Sequence, residues 1–472
     1  MPWRTWIVSF AAVTSATTLA QAPPAPDWPR LEAETLQHFQ ALLRFDTSNP
    51  PGNEKLAADY LKQVLDHEGI ATQFFALEPA RPNLVARLKG SGRRQPILLM
   101  GHTDVVTVDP GKWTFPPFSA TRDQGYVYGR GSLDDRPHVV AGLMTMLMLK
   151  RLKVPLDRDV VFLAEAGEEG TTRVGIDFMA REHYQDISAE YCFAEGGETP
   201  RVGSRIKYVG IETVEKIPMP LELTAHGTSG HGSIPLQDNP VVHLARAVSA
   251  LGAWRTPIRL NDTTREYFKR LADISSGDDA ARYRAVLAPG SAAAEAADKY
   301  FLQREPRQAS MLRTSVTPTI LNGGYRFNVI PSEAKATIDV RMVPDENPGA
   351  FIEAAKKVIN DSAVDVKISN AIDQRTVGGT TRIDSEAFKA IEAAVTKHYQ
   401  TVSLPVLQPG ATDMSVVRAK GAQCYGVSAA VDVEDGPKGF GPHSDQERIL
   451  ESELHRFVRF QWDIVTALAG VK

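Results

Sequence analysis

Along the first part of the chain, apolar residues recur with two different periods. Leu36, Phe39, Leu42 and Leu43 share one helical face, and residues 56–65 form a second amphipathic helix ending near Gly69. Residues 83–88 and 96–100 are short apolar runs bounded by Gly and Pro, which predicts strands. Ile97-Leu98-Leu99-Met100 has no polar face, so it reads as a central strand buried on both sides. Residues 137–152 are apolar nearly all round a helix, and 160–164 is another buried strand. Such alternation predicts an α/β sandwich around a mainly parallel sheet.

The pattern changes after about Val209. Residues 220–225 and 315–341 carry strand alternation, with helices near 240–254 and 348–360, the α+β signature of a separate small domain. Between them, 261–308 is polar, Ala-rich and predicted helical, an enlargement of that domain. Beyond Ile383 the α/β character returns, with a helix to Tyr399, a Gly-rich loop, an apolar run over 423–430 and a long amphipathic helix from Gln446. The expected division is a catalytic domain over 28–209 and 371–472, interrupted by an inserted domain over 210–370. Ahead of both, Arg4, the apolar run 6–16 and the small residues Thr18 and Ala20 read as a secretory signal over 1–22. The run is shorter than the ~20 residues of a membrane span. A secreted or periplasmic protein is expected, with the Pro-rich 22–29 as its tether.

Composition narrows the classes. A length of 472 residues suits two domains, and 57 acidic against 53 basic side chains leave no basic face for nucleic acid. Two cysteines, Cys192 and Cys424, permit at most one disulfide and exclude a Cys-rich zinc finger.

Ligands of open parallel sheets bind at the carboxyl ends of strands. Gly101-His102-Thr103-Asp104 follows 97–100, the Glu165 to Gly170 stretch follows 160–164, and Glu195-Gly196-Gly197 follows 191–194. A Gly-rich loop carries Gly441-Pro442-His443, and Asp134-Asp135 directly precedes the apolar helix. Singly, each has a bland reading: a hydrogen-bonded loop His, a solvated Glu pair, a helix-capping Asp. Together, carboxylates and imidazoles without thiolates make a donor set for Zn²⁺, Mn²⁺ or Co²⁺. Asp134, Glu169 and Glu195 with neutral His102 and His443 over-neutralise one dication. Two dications are left one charge short of balance, which a bridging hydroxide closes. Asp104, two positions beyond His102 on the same side of an extended segment, is expected to accept the other ring N–H and fix the tautomer.

Gly101-His102-Thr103-Asp104-Val105-Val106, Tyr128-Gly129-Arg130-Gly131-Ser132-Leu133-Asp134-Asp135 and Glu168-Glu169-Gly170 resemble the M20 family of metallopeptidases. That family includes aminoacylases, carnosinases, Gly-X carboxypeptidases and acetylornithine or succinyl-diaminopimelate deacylases. The resemblance covers nearly the whole chain after the signal. It implies a three-layer, zinc-exopeptidase-like α/β catalytic domain with an inserted α+β lid/dimerisation domain. It also implies two Zn²⁺, with Co²⁺ or Mn²⁺ as substitutes. One metal would take His102 and Glu195, the other Glu169 and His443, and Asp134 would bridge them ahead of a cis peptide. Glu168 would be the general base. Gly227-Thr228-Ser229-Gly230-His231-Gly232-Ser233 resembles the family's lid histidine motif, which implies that His231 donates to the oxyanion, often across a homodimer. By the same resemblance Asn328 and Arg341 contact substrate, Arg341 as bidentate partner of a carboxylate, and Gly410 opens a substrate-lining loop. Two departures stand out: Arg136 occupies a usual Lys position, and Ala166-Gly167 precede the Glu pair, leaving Glu165 as an extra carboxylate. Cys192 reads as a small buried hydrophobe.

The expected function is an exported two-metal hydrolase cleaving an amide bond beside a free carboxylate, of carboxypeptidase or dipeptidase type. An N-acyl-amino-acid deacylase would use the same residues. The 113–118 stretch and export favour the peptidase. A non-catalytic periplasmic binding protein would not need Glu168 and His231, and a serine hydrolase through Ser229 or Ser233 lacks the Gly-x-Ser-x-Gly elbow. Small peptides or N-acyl amino acids are the expected partners, without nucleic acid and without a membrane span once the signal is removed.

Overall fold

The computed structural model describes residues 25–370 and 378–471, so the expected signal over 1–22 lies outside it. The first part of the chain lays down β1 (Ala71–Phe75), β2 (Asn83–Leu88), β3 (Ile97–His102), β4 (Val160–Glu165), β5 (Tyr191–Ala194) and β6 (Val209–Glu215). From β3 to β6 every position is buried, as in strands covered on both faces; β3, β4 and β5 do this with apolar runs, whereas β6 buries Glu212, Thr213 and Glu215 as well. The chain then builds β7 (Ile217–Pro218), β8 (Leu221–His226), β9 (Ser315–Gly323), β10 (Glu333–Met342) and β11 (Val364–Ile368). It returns through β12 (Ser403–Gln408) and β13 (Gln423–Gly426).

The large sheet has the order β1-β2-β4-β3-β5-β13-β6-β12. Its centre, β4-β3-β5-β13, is parallel, as is β6 with β12, while β1-β2, β2-β4 and β13-β6 are antiparallel. The expected parallel sheet is thus found at the centre, with antiparallel pairings outside it. Helices α1 (Trp28–Leu43), α2 (Arg136–Arg151), α3 (Glu386–Tyr399) and α4 (Glu451–Ala469) share one apolar cluster with this sheet, including Phe39, Met144, Phe388 and Phe457. The cluster on the other face draws in residues 176–182 and 414–419. Three layers result, an α/β fold with a second domain, as expected.

The second sheet, β7 to β11, is antiparallel, and β8 and β10 alternate buried with partly exposed positions. Its inner face packs on the helices Pro240–Ala253 and Pro348–Ile359 around Leu223, Leu244, Ile338 and Phe351. The structure corrects one expectation here. The helices between 262 and 311 do not enlarge this second domain. Tyr267, Phe268 and Phe301 pack with Tyr208, Leu404 and Val406 at the β6–β12 side of the large sheet. Apolar faces of those helices find the nearest uncovered sheet, whichever domain the sequence position suggests. β6 also belongs to the large sheet, so the chain leaves that sheet after Glu215 and not at 209.

Cys192 and Cys424 stand in register on β5 and β13 and form a disulfide, both fully buried. Cys192 is therefore half of a cross-strand bridge and not a lone hydrophobe. Among the described residues no helix is long and apolar enough to cross a membrane.

Candidate active site and metal centre

The central strands end together, and their last residues carry the site. β3 closes on buried His102, β5 is followed at once by Glu195, and the loop before α2 supplies Asp134, whose peptide bond to Asp135 is cis. His102, Asp134 and Glu195 form one group and Asp134, Glu169 and His443 another, each with ligand atoms within 4.8 Å of one another. Asp134 belongs to both. Its Oδ1 lies 2.9 Å from His102 Nε2 and its Oδ2 3.1 Å from His443 Nε2. Glu169 Oε1 is 3.0 Å from the same His443 nitrogen, and Glu195 Oε2 is 3.8 Å from His102 Nε2. The five residues grouped from the sequence meet in one place.

Their electrostatics ask for cations. Burial opposes charge on His102, but Asp104, Asp134 and Glu195 hold its pKa well above the ordinary imidazole value. Asp134 and Glu169 push His443 up to about 10. Burial raises Glu169 to about 7, with the Asp134 charge adding to the effect and His443 opposing it. Burial and Asp134 likewise raise Glu195. Asp134 is itself held low by His102 and His443 despite its burial. Protons on two imidazoles here meet a demand that divalent cations would meet in their place. Nitrogen and carboxylate donors without thiolates fit such ions, Zn²⁺ among them.

Asp104 does more than orient the His102 ring. His102 Nδ1 lies 3.1 Å from the Asp104 main-chain carbonyl and 3.5 Å from the carboxylate. The buried carboxylate also grips the turn that follows β4. Oδ1 accepts the N–H of Gly167 at 3.0 Å and of Glu168 at 3.2 Å; Oδ2 accepts the N–H of Glu169 at 3.0 Å and the Asn49 amide at 2.8 Å. Burial works against the Asp104 charge, yet the His102, Asn49 and Glu169 donors hold its pKa below the usual value. The turn it grips needs glycine: Gly167 has φ +84°, and a Cβ there would lie 2.4 Å from the Thr171 carbonyl.

Neighbouring residues also changed roles. Asp135 does not cap α2; its carboxylate accepts the His102 N–H at 3.2 Å and bonds the His138 ring. Arg136, fully buried, donates to the Thr103 carbonyl and to Thr47 Oγ1, each at 2.7 Å. Glu165 lies outside both groups, buried beside Asp413, and burial with that neighbour raises its pKa. Asn49, Arg130 and Glu447 also support the site, and sequence reasoning missed them. Asn49 acts on the Asp104 carboxylate 55 positions away, and Glu447 and Arg130 act on each other and on main-chain groups more than three hundred positions apart, so no local spacing marks them.

A cavity of about 330 Å³ opens beside the second group, lined by Glu168, Glu169 and His443 together with Pro218, Arg341 and Gly410. Arg341 Nε also donates to Asp339 at 2.8 Å, so it keeps a carboxylate partner while facing the cavity. The loop after Gly410 is fixed by Thr412, whose N–H and hydroxyl reach Glu215 at 3.2 and 2.8 Å. His231 and Asn328 are not among the residues lining the cavity. They adjoin each other on the second domain, where Gly232 N–H donates to the Asn328 carbonyl at 2.8 Å and His231 Nδ1 lies 2.7 Å from Ser233 Oγ. Trp113 lies over the Arg130 guanidinium and Phe115 against Tyr128, so the 113–118 stretch buttresses the Arg130 loop and does not line the cavity.

The arrangement has relatives. A model described as peptidase family M20/M25/M40 matches residues 98–466. A probable carboxypeptidase S-like 2 of Dictyostelium discoideum is 32% identical over 346 residues, 71% of this chain and 64% of that one. The human N-fatty-acyl-amino acid synthase/hydrolase PM20D1 is 29% identical over 331 residues, 68% and 64% of the two chains. The match thus spans just under two thirds of either relative. Among solved structures, the M20 family metallo-carboxypeptidase Sso-CP2 of Sulfolobus solfataricus superposes with a TM-score of 0.68 at 19% identity, covering 92% of this chain and 99% of that one. At that identity the likeness is one of fold.

Proposed function

Because the chain belongs to peptidase family M20/M25/M40, we propose that it is a two-metal hydrolase cleaving an amide bond next to a free carboxylate, of carboxypeptidase or dipeptidase type. The observation that carries this reading is one cavity lined both by acidic and metal-ligating side chains and by an arginine. Glu168 lines it with Glu169 and His443 of the second group, and so does Arg341. His102, Asp134 and Glu195 would hold one Zn²⁺, and Asp134, Glu169 and His443 the second. When bound, the two cations supply Lewis acidity and lower the pKa of the attacking water.

The protein's own groups do the rest. Arg341 pairs with the substrate carboxylate and so sets the distance from carboxylate to scissile bond. Glu168 takes a proton from the attacking water and returns it to the departing amine nitrogen. The buried grip of Asp104 on residues 167–169 holds Glu168 at that task. His231 donates a hydrogen bond to the carbonyl oxygen as charge develops on it. Because His231 and Asn328 do not line the cavity, we place them at the active site of a second copy in a homodimer. The exposed Ile320, Leu321, Tyr325 and Phe327 around β9 suit such a contact. The same cavity serves an N-acyl amino acid, the class named in the human relative. Export is proposed as well, and the Cys192–Cys424 disulfide supports it, since such bonds persist in oxidising compartments.

Zn²⁺-loaded protein is to be assayed against Gly-X dipeptides and N-acetyl amino acids, with and without chelator. Glu168→Gln should lower kcat by about 10²–10⁴-fold with two metal equivalents retained. Turnover that survives chelation, or a Glu168→Gln variant as active as its parent, would refute the proposal.

A further inference from the structure

Of the two groups, the second is the less well anchored by secondary structure. His102 ends a central strand and Glu195 follows another, whereas His443 sits in a loop, 53% exposed, with a left-handed φ of 60°. Asp134 sits in the loop ahead of α2. Something must hold these two loops to each other, and Glu447 is placed to do so. Its side chain is completely buried, and four donors converge on it. Oε1 accepts the N–H of Leu133 at 2.7 Å and of Asp134 at 3.1 Å. Oε2 accepts the N–H of Gly131 at 3.0 Å and an Arg130 amine at 2.7 Å. The other Arg130 amine donates to the Ser444 carbonyl at 3.0 Å, next to His443. Trp113 covers the same guanidinium at 5.3 Å, which shields the cluster from water.

We infer that Glu447 and Arg130 are positioning residues that set the affinity of the second metal site, Asp134–Glu169–His443, selectively over the first. The inference rests on the two-metal reading above. The selectivity follows from geometry. Loss of the clamp frees both the Asp134 loop and the His443 loop, the two sides of the second site. The first site keeps two ligands fixed by the large sheet.

The test is a titration of Co²⁺ into the metal-free full chain, followed by calorimetry and visible absorption. The parent should bind two equivalents; fewer would overturn the two-metal reading itself. Glu447→Gln, which replaces half of the acceptor by a donor, should keep one tight equivalent and bind the other about 10- to 100-fold more weakly. Turnover should return when the metal concentration is raised, a rescue that a merely misfolded variant would not show. Equal weakening of both equivalents, or no weakening of either, overturns the inference. If circular dichroism shows that Glu447→Gln does not fold, Arg130→Lys decides. It keeps the charge but cannot reach Glu447 and the Ser444 carbonyl together. The same selective loss is expected, and an unchanged second equivalent overturns the inference.

Discussion

Asp104→Asn tests the assignment of the 167–169 turn most directly. The carboxylate accepts four hydrogen bonds, two on each oxygen, and three come from consecutive backbone amides. In either orientation the new amide replaces one accepting oxygen by a donor. Asn49 can rotate to offer its own oxygen, so one or two backbone N–H groups are left without an acceptor. Hydrogen bonds to a charged group contribute about 1.5–3 kcal/mol each, so the turn should lose about 1.5–6 kcal/mol. At about 1.4 kcal/mol per tenfold, local opening then becomes about 10- to 10⁴-fold more frequent. Hydrogen exchange of a peptide spanning residues 165–172, read by mass spectrometry, measures this opening. A displacement of Glu168 by about 1 Å should also lower kcat by about 10²-fold. The depressed Asp104 pKa gives the accompanying pH dependence. A carboxylate held low stabilises the fold above its unfolded value, and that contribution is lost as pH falls through the folded value. Exchange within threefold of the parent would refute the reasoning. If metal affinity fell at the same time, the carboxylate would instead be acting on the His102 ring.

Two further outcomes follow from other residues. Arg341→Met should lower kcat/KM by about 10- to 150-fold for substrates with a free carboxylate and leave their amidated counterparts nearly unaffected, as loss of one charged hydrogen bond predicts; equal losses on both would remove Arg341 from carboxylate recognition. Lys216 is fully buried between Ser310 and Ser315, at 2.9 and 3.3 Å, and burial with nearby Arg313 and Arg341 lowers its pKa to about 7. A lysine with a depressed folded pKa stabilises the fold above its unfolded value and loses that contribution as pH falls towards 7. The parent should therefore gain stability relative to Lys216→Met by up to about 1.4 kcal/mol per pH unit above pH 7, and parallel melting profiles from pH 7 to 9 would contradict this.

Much of the fold and of the site was legible because both depend on local pattern. Buried strands announce themselves as unbroken apolar runs, and His102 and Glu195 are where such runs stop. What was not legible is long-range and mediated by the backbone. From the sequence, Asp104 could be paired only with His102, two positions away. Its carboxylate also serves amides 63 to 65 positions on. Glu447 acts on amides more than three hundred residues upstream and pairs with the Arg130 side chain. The helices between 262 and 311 were assigned by their place in the chain, but apolar faces dock by surface, and the nearest open surface was the large sheet.

The disulfide and the second metal group share one property: both join the part of the chain before the second sheet to the part after it. Glu169 and His443 are 274 positions apart, and Cys192 and Cys424 are 232 apart. His102, Asp134 and Glu195 all come from the stretch that precedes the second sheet. Closure over long separations comes late, because chain entropy must be overcome before such contacts form. On a growing chain the first group can assemble while the large sheet still lacks β12 and β13. The second group and the disulfide wait for the last segment to be made. Residues of the first group can thus be brought together before those of the second group and before the disulfide partners meet.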